Sequence, residues 1–266
     1  MIGFALSFGA ALAVFLFPTL LGLIAVSGAA RFVDARYLAA FGIGLYFWFF
    51  IDTIGDASIL GLDEGFSGGV AHLLLWVVFA AGLVLFFALD RRAFTADSPG
   101  IRLGFAIPLL IALAVGMHGF GEGAGIAATA ATTPSLNLLD AFGGLTQALA
   151  FFLHKLLEPM MVGAAYWVYS REQPKRAAGR LGDLTLLMLA FAIPGIIGAG
   201  VGYYLVLAFQ GIDLTYVFAF GLGTSLYAAF RLTRPLYEGV KGDAVKTALA
   251  FLLGFTCLYL AALLHG

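Results

Sequence analysis

Charged residues are scarce in this 266-residue sequence. Asp, Glu, Lys and Arg make up 11% of it, whereas soluble domains carry roughly 25%. The formal net charge of −1 provides no basic surface for nucleic acid. Because 62% of the residues are hydrophobic and the mean hydropathy is +1.02, the composition predicts an integral membrane protein.

Cysteine and long polar segments are also nearly absent. The one cysteine, Cys257, lies in an apolar run, and alone it can form neither an internal disulfide nor a thiolate metal site. The amino terminus has no basic segment before its first apolar run, so we expect a mature first helix rather than a cleaved signal. The longest polar connectors, such as DRRAFTADSPGIR, are too short for a soluble domain. The sequence therefore predicts one transmembrane domain over residues 1–266.

Eight apolar runs have a length suited to crossing a bilayer, which takes about 20 residues. They lie near 3–27, 37–60, 69–89, 103–131, 139–169, 183–209, 213–230 and 244–264. Backbone groups in lipid must be hydrogen-bonded within each segment. We therefore predict an all-α, polytopic membrane protein with eight transmembrane helices.

Basic residues indicate the orientation of these spans. Of the fourteen Lys and Arg residues, thirteen lie in or beside the connectors after the first, third, fifth and seventh spans. Basic connectors stay in the cytoplasm, so we expect both termini to be extracellular. The outer connectors carry Asp63, Glu64 and Asp213, which are either ordinary solvated acids or part of a vestibule that attracts cations.

Two pairs of ionisable residues lie in the middle of the fourth and fifth spans. Each pair is a histidine followed four residues later by a glutamate, His118 with Glu122 and His154 with Glu158. This spacing places both members on one helix face. Ionisable groups at such depth are costly and mark ion paths or proton relays.

If the two helix faces meet, two imidazoles and two carboxylates converge. Such a set suits a tetrahedral zinc ion, and also iron, manganese, cobalt or cadmium. Two other interpretations remain open at this point: each His hydrogen-bonds its neighbouring Glu and joins the helices, or the residues relay protons without a metal. Asp52 and Asp56, near the outer end of the second span, are candidate entrance residues or simple interface caps.

Glycine and proline surround the two pairs. The fourth span reads GMHGFGEGAG, and such small residues allow close helix approach while weakening the helix itself. We therefore expect this span to be soft or kinked. Pro159, directly after Glu158, removes a backbone donor and frees the Lys155 carbonyl. The sequence thus predicts a second kink at the same depth.

At these residues the chain resembles the ZIP (Zrt/Irt-like) family of divalent metal transporters. The fourth span reads His-Gly-Phe-Gly-Glu from His118 and the fifth reads His-Lys-Leu-Leu-Glu from His154, where the family has His-Asn-x-x-Asp/Glu and His/Gln-Glu/Asp-x-x-Glu/His. The resemblance implies a ZIP-like helix bundle, a homodimer, and spans one, four, five and six moving against the other four. It also implies that His118, Glu122, His154 and Glu158 hold the metal.

Two positions depart from the family's pattern. The ligands of a second family metal site are replaced by Gly119 and Lys155. Because an ammonium repels a nearby cation, we predict one metal rather than two. Lys155 then neutralises Glu122 or Glu158 when the site is empty, unless it snorkels to a membrane interface.

These features favour a protein that transports a divalent transition metal, with zinc as the favoured ion, across the cell membrane toward the cytoplasm. We do not expect an enzyme. Protons compete with metal for such ligands, so we expect uptake to fall at acid pH. An intramembrane metal-dependent hydrolase is the alternative, although the His-Glu-x-x-His pattern is absent. A retinal protein built on Lys155 is a third class, which a colourless purified protein would exclude.

Overall fold

The structure is a computed structural model that describes residues 3–57, 69–94, 103–133, 137–171, 181–209 and 214–265. Within these residues the chain forms nine α-helices and two short 3-10 segments, with no β-strand. The helices are α1 (Phe4–Ala29), α2 (Ala35–Ala57), α3 (Gly69–Phe94), α4 (Leu103–Gly116), α5 (Gly119–Thr132), α6 (Leu145–Arg171), α7 (Leu181–Phe209), α8 (Thr215–Gly242) and α9 (Ala244–Ala262). The prediction of an all-α fold is confirmed.

Seven segments within the described residues are long and apolar enough to cross a membrane. They lie in α1, α2, α3, α6, α7, α9 and, as one unit, α4 with α5. These seven segments make the chain a multi-pass membrane protein. The one predicted span outside this set is the seventh, which corresponds to α8; this helix has 28 residues but carries several charged residues in its second half and is too polar to count by composition.

Several predicted boundaries differ from the structure. The fourth span is two helices, because α4 ends at Gly116 and α5 begins at Gly119. This interruption lies in the stretch for which the glycines predicted a soft or kinked helix. The fifth span opens with a 3-10 turn at Leu138–Phe142 before α6 begins at Leu145, and α6 continues through Pro159 as one helix. The seventh span was predicted to end at 230, but α8 extends to Gly242.

The helices pack in two groups. In the first group α7 packs on α1, α4 and α5, and α6 packs on α1 and α4; in the second group α8 packs on α2, α3 and α9, and α2 packs on α9. The two groups meet chiefly where α2 packs on α6 and where α4 packs on α8. Glycines bring α5 and α7 together, since a methyl group on Gly123 would overlap the carbonyl of Gly195.

Contacts among helix ends place Arg36 and Arg231 at the same end of the bundle. The Arg36 guanidinium at the start of α2 lies beside Gly242 at the end of α8. Tyr169, near the end of α6, donates a hydrogen bond to the carbonyl of Arg231 on α8, 2.9 Å away. Arg231 also pairs with Asp90 in the last turns of α3. We call this the basic end, and the other the opposite end.

Candidate metal site

The interruption between α4 and α5 positions His118. Tight-turn hydrogen bonds join the two helices, from the Phe120 N–H to the Met117 carbonyl (3.2 Å) and from the Gly121 N–H to the His118 carbonyl (3.0 Å). The Nδ1–H of His118 donates to the backbone carbonyl of Val115. That bond assigns the tautomer in which Nε2 carries the free lone pair, the form in which an imidazole binds a metal.

Three side chains meet in front of this imidazole. Lys155 Nζ lies 2.6 Å from Glu122 Oε2 and 2.6 Å from Glu158 Oε2. The same ammonium lies 3.0 Å from His118 Nε2. We call His118, Glu122, Lys155 and Glu158 the central cluster. It joins α5 to α6, as the two His-x3-Glu pairs predicted.

The central cluster is almost sealed from solvent. Lys155 has no exposed surface, and His118 and Glu158 are buried; Glu122 keeps 20% of its side chain exposed. Lys155 therefore does not snorkel to an interface. The rings of Phe15, Phe151 and Phe191 lie 5.5–5.7 Å from Lys155 Nζ, within cation–π range. These aromatic residues are spread over three helices, so no local motif predicted them.

The cluster holds more negative than positive charge. Two carboxylates surround one ammonium, which leaves a net charge of −1 when the imidazole is neutral. An uncompensated buried anion is costly. A site with this imbalance favours a second positive charge, or exchange of the ammonium for a divalent ion.

The spacing of the ligand atoms suits a metal ion. His118 Nε2 lies 3.5 Å from Glu122 Oε2 and 3.3 Å from Glu158 Oε2. Two ligands of a zinc ion, each about 2.1 Å from it, are at most about 4.2 Å apart. Ligand atoms of the three residues all lie within 4.8 Å of one another. The Lys155 ammonium occupies the space between them, where a metal would be bound.

His154 lies outside this group of three. Its Nε2 is 3.8 Å from Asp52 Oδ2 on α2, and its side chain is 5% exposed. We attribute the separation to Lys155, because the ammonium draws Glu122 toward Glu158 and leaves His154 one turn away on α6. The structure thus brings together three of the four predicted ligands and pairs the fourth with a predicted entrance residue.

The remaining predicted positions contribute little at the site. Gly119 lies beside the cluster, since a methyl group there would be 3.6 Å from Glu122 Oε2, and it supplies no ligand. The side chain of Asp56 and the whole of Asp63, Glu64 and Asp213 lie outside the described residues.

Comparisons with known proteins do not identify a family for this chain. A scan against models of protein families and a search of curated proteins both find no match. The resemblance to the ZIP family therefore rests on HGFGE in the fourth span and HKLLE in the fifth.

Proposed function

We propose that this protein transports a divalent transition metal ion, zinc foremost, across the cell membrane toward the cytoplasm. One observation carries the proposal: a buried cluster in the middle of the bundle holds three metal-type ligands and more negative than positive charge. In this proposal His118, Glu122 and Glu158 together bind a single metal ion at a time.

The ligand types match the proposed cargo. Imidazole and carboxylate bind zinc, iron, manganese and cobalt, and cadmium was among the candidate ions from the sequence. The cluster contains no thiolate among its residues, which suits a site that must release its ion. The charge of a divalent ion would also offset the charges of the Glu122 and Glu158 carboxylates after the ammonium leaves.

Lys155 acts in this proposal as a tethered substitute for the metal. Its ammonium touches all three ligand residues, so an arriving ion must displace it. In the empty site the ammonium thereby offsets part of the negative charge of Glu122 and Glu158. The same competition lowers the affinity for metal, which favours release.

The helix interruption offers a place for movement. Binding sites of transporters are often formed at discontinuous helices near the middle of the membrane. His118 lies at such a break, between α4 and α5. The resemblance to the ZIP family suggests that the group with α1, α4, α5, α6 and α7 slides against the other group within a homodimer.

The proposal is tested by metal flux into liposomes that contain the purified protein, with zinc, cadmium, iron, manganese and cobalt as separate substrates. We expect saturable uptake of at least one ion. The double variant with His118→Ala and Glu158→Ala should lose uptake, by about 100-fold or more.

Asp183→Asn is the matched control. Asp183 is also a buried carboxylate, but it accepts a hydrogen bond from Tyr166 (2.9 Å) far from the central cluster. This variant should keep its uptake. Undiminished uptake in the double variant contradicts the site assignment.

An intramembrane metal-dependent hydrolase remains the second candidate. Catalytic zinc sites use three protein ligands and leave one position for water, and the central cluster offers three such ligands. The two functions differ in a direct measurement: a transporter accumulates metal inside liposomes in proportion to time, whereas a hydrolase binds it without net flux.

A further inference from the structure

His154 and Asp52 form a pair that is separate from the central cluster. Asp52 Oδ2 lies 3.8 Å from His154 Nε2, and the two side chains are on different helices, α2 and α6. This contact also joins the two packing groups of the bundle. We propose that Asp52 and His154 form a second, weaker site for a divalent transition metal ion on the path to the central cluster.

Two helices place this pair further from the basic end than the central cluster. Helix α6 runs toward the basic end, and on it His154 precedes Glu158 by four residues, or about 6 Å along the axis. Helix α2 runs toward the opposite end, and on it Asp52 follows Phe49 by three residues. Phe49 marks the level of the central cluster, because its ring centroid lies 4.5 Å from that of His118. The pair therefore lies one helical turn outside the central cluster.

The chemistry of the pair fits one shared ion. An imidazole nitrogen and a carboxylate oxygen are common zinc ligands, and a separation of 3.8 Å is below the limit of about 4.2 Å for two ligands of one ion. With a neutral imidazole the pair carries one negative charge. Asp52 keeps 31% of its side chain exposed, so water can complete the coordination.

Two protein ligands make a weak site, and a weak site suits an ion in transit. Movement along a pathway requires binding that is favourable enough for arrival and weak enough for departure. From this position an ion can pass to His118 and Glu122, since Glu122 is the partly exposed member of the central cluster. The direction of ion movement, from this pair to the central cluster, rests on the proposed function. Binding of a metal ion by Asp52 and His154 does not.

Binding of Cd²⁺ alone to the purified full-length protein in lipid nanodiscs tests the proposal. We expect two phases, a tight one at the central cluster and a weak one at Asp52 and His154. Asp52→Asn and His154→Gln should each raise the Cd²⁺ concentration that half-fills the weak phase by about tenfold or more. The tight phase should persist in both variants, which also shows that they fold.

Non-additivity is the sharpest readout. If both side chains bind the same ion, the double variant should lose no more than either single variant. Asp52→Glu, which keeps a carboxylate, should restore the weak phase. Asp140→Asn removes an exposed carboxylate before α6 and should change neither phase.

Uptake in liposomes gives an independent readout. Asp52→Asn should raise the Cd²⁺ concentration for half-maximal uptake while leaving the maximal rate unchanged, because the second site affects only arrival. A weak phase that is absent, unaffected by both variants, or lowered additively overturns the second site. Failure of the proposed function appears differently, as a weak phase that still depends on Asp52 and His154 in a protein without flux.

Discussion

Two polar clusters lie inside this bundle, and they differ in how their charges balance. At the basic end, Asp90 pairs with Arg231 and accepts a hydrogen bond from Tyr227 (2.8 Å), so one anion meets one cation. In the central cluster, two carboxylates share the ammonium of Lys155. A balanced pair with a fixed hydroxyl partner stabilises a packing arrangement, whereas an excess of anions leaves capacity for another cation.

The two clusters also differ in how well their side chains suit metal binding. The basic-end cluster contains a guanidinium, a carboxylate and a phenol, of which only the carboxylate is a common metal ligand. The central cluster adds an imidazole, held by the Val115 carbonyl with Nε2 directed at the carboxylates. We therefore expect metal to affect the central cluster and to leave the basic-end cluster unchanged.

Removing the cation from each cluster should give the largest contrast. Lys155→Met leaves the carboxylates of Glu122 and Glu158 uncompensated, of which that of Glu158 is buried, and loss of one partner from a buried ion pair costs about 3–5 kcal/mol. Zn²⁺ should recover much of this loss, because an ion that binds only the folded protein stabilises it. Thermal unfolding in detergent, with and without Zn²⁺, measures both effects.

Arg231→Met is the control for that experiment. It also removes a cation from a buried carboxylate, Asp90, but among the described residues that cluster includes no imidazole and no second carboxylate. We expect destabilisation that Zn²⁺ does not reverse. Equal recovery of both variants would contradict the contrast between the clusters.

Reversing the charge of Lys155 should sharpen the contrast further. Lys155→Glu replaces the competing ammonium with a carboxylate, so the middle of the bundle gains both a ligand and more negative charge. We expect one additional bound metal ion per chain, counted by elemental analysis after equilibrium dialysis. If neither the number of bound ions nor the transport rate changes, the role assigned to Lys155 is wrong.

Two glycines of α8 allow a smaller, paired test. A methyl group on Gly221 would lie 2.6 Å from His118 Cα, whereas one on Gly223 would overlap the carbonyl of Phe79 on α3. Overpacking costs about 1–3 kcal/mol, so Gly221→Ala and Gly223→Ala should both lower thermal stability. Only Gly221→Ala should weaken Zn²⁺ binding, since it displaces the imidazole. Equal Zn²⁺ affinities in the two variants would show that α8 does not position His118.

The smallest effect is expected at the bond that links α6 to α8. Tyr169→Phe removes one hydrogen bond to the Arg231 carbonyl, and such a neutral bond contributes about 0.5–1.5 kcal/mol. The variant should unfold slightly earlier and bind metal as the parent protein does. A change in metal affinity would indicate that this contact is coupled to the central cluster.

The class of the fold followed from the sequence because lipid leaves few options. Apolar runs of sufficient length and the requirement for internal backbone hydrogen bonds predicted a helical bundle, and seven spanning segments were confirmed. The seventh predicted span was harder to assess, since α8 begins as an apolar helix and continues into a charged second half. Composition over a fixed window averages the two halves.

The site was predictable in part for a similar reason. The i, i+4 spacing on adjacent spans predicted that α5 and α6 would share polar faces, and they do. The spacing could not show which glutamate Lys155 would contact, and the ammonium reaches both. Electrostatic attraction among buried groups acts through space, so it depends on distances that only the packing provides.

The sequence by itself determined the helical, multi-pass character of the chain and the positions of its ionisable residues within the apolar runs, because hydropathy and helical periodicity are local properties. The tertiary structure decided that His118 meets Glu158 and that His154 faces Asp52. It also decided that Lys155 occupies the space between three metal-type ligands. These outcomes depend on how α2, α5 and α6 pack, and contacts between distant segments follow from close packing rather than from any local pattern.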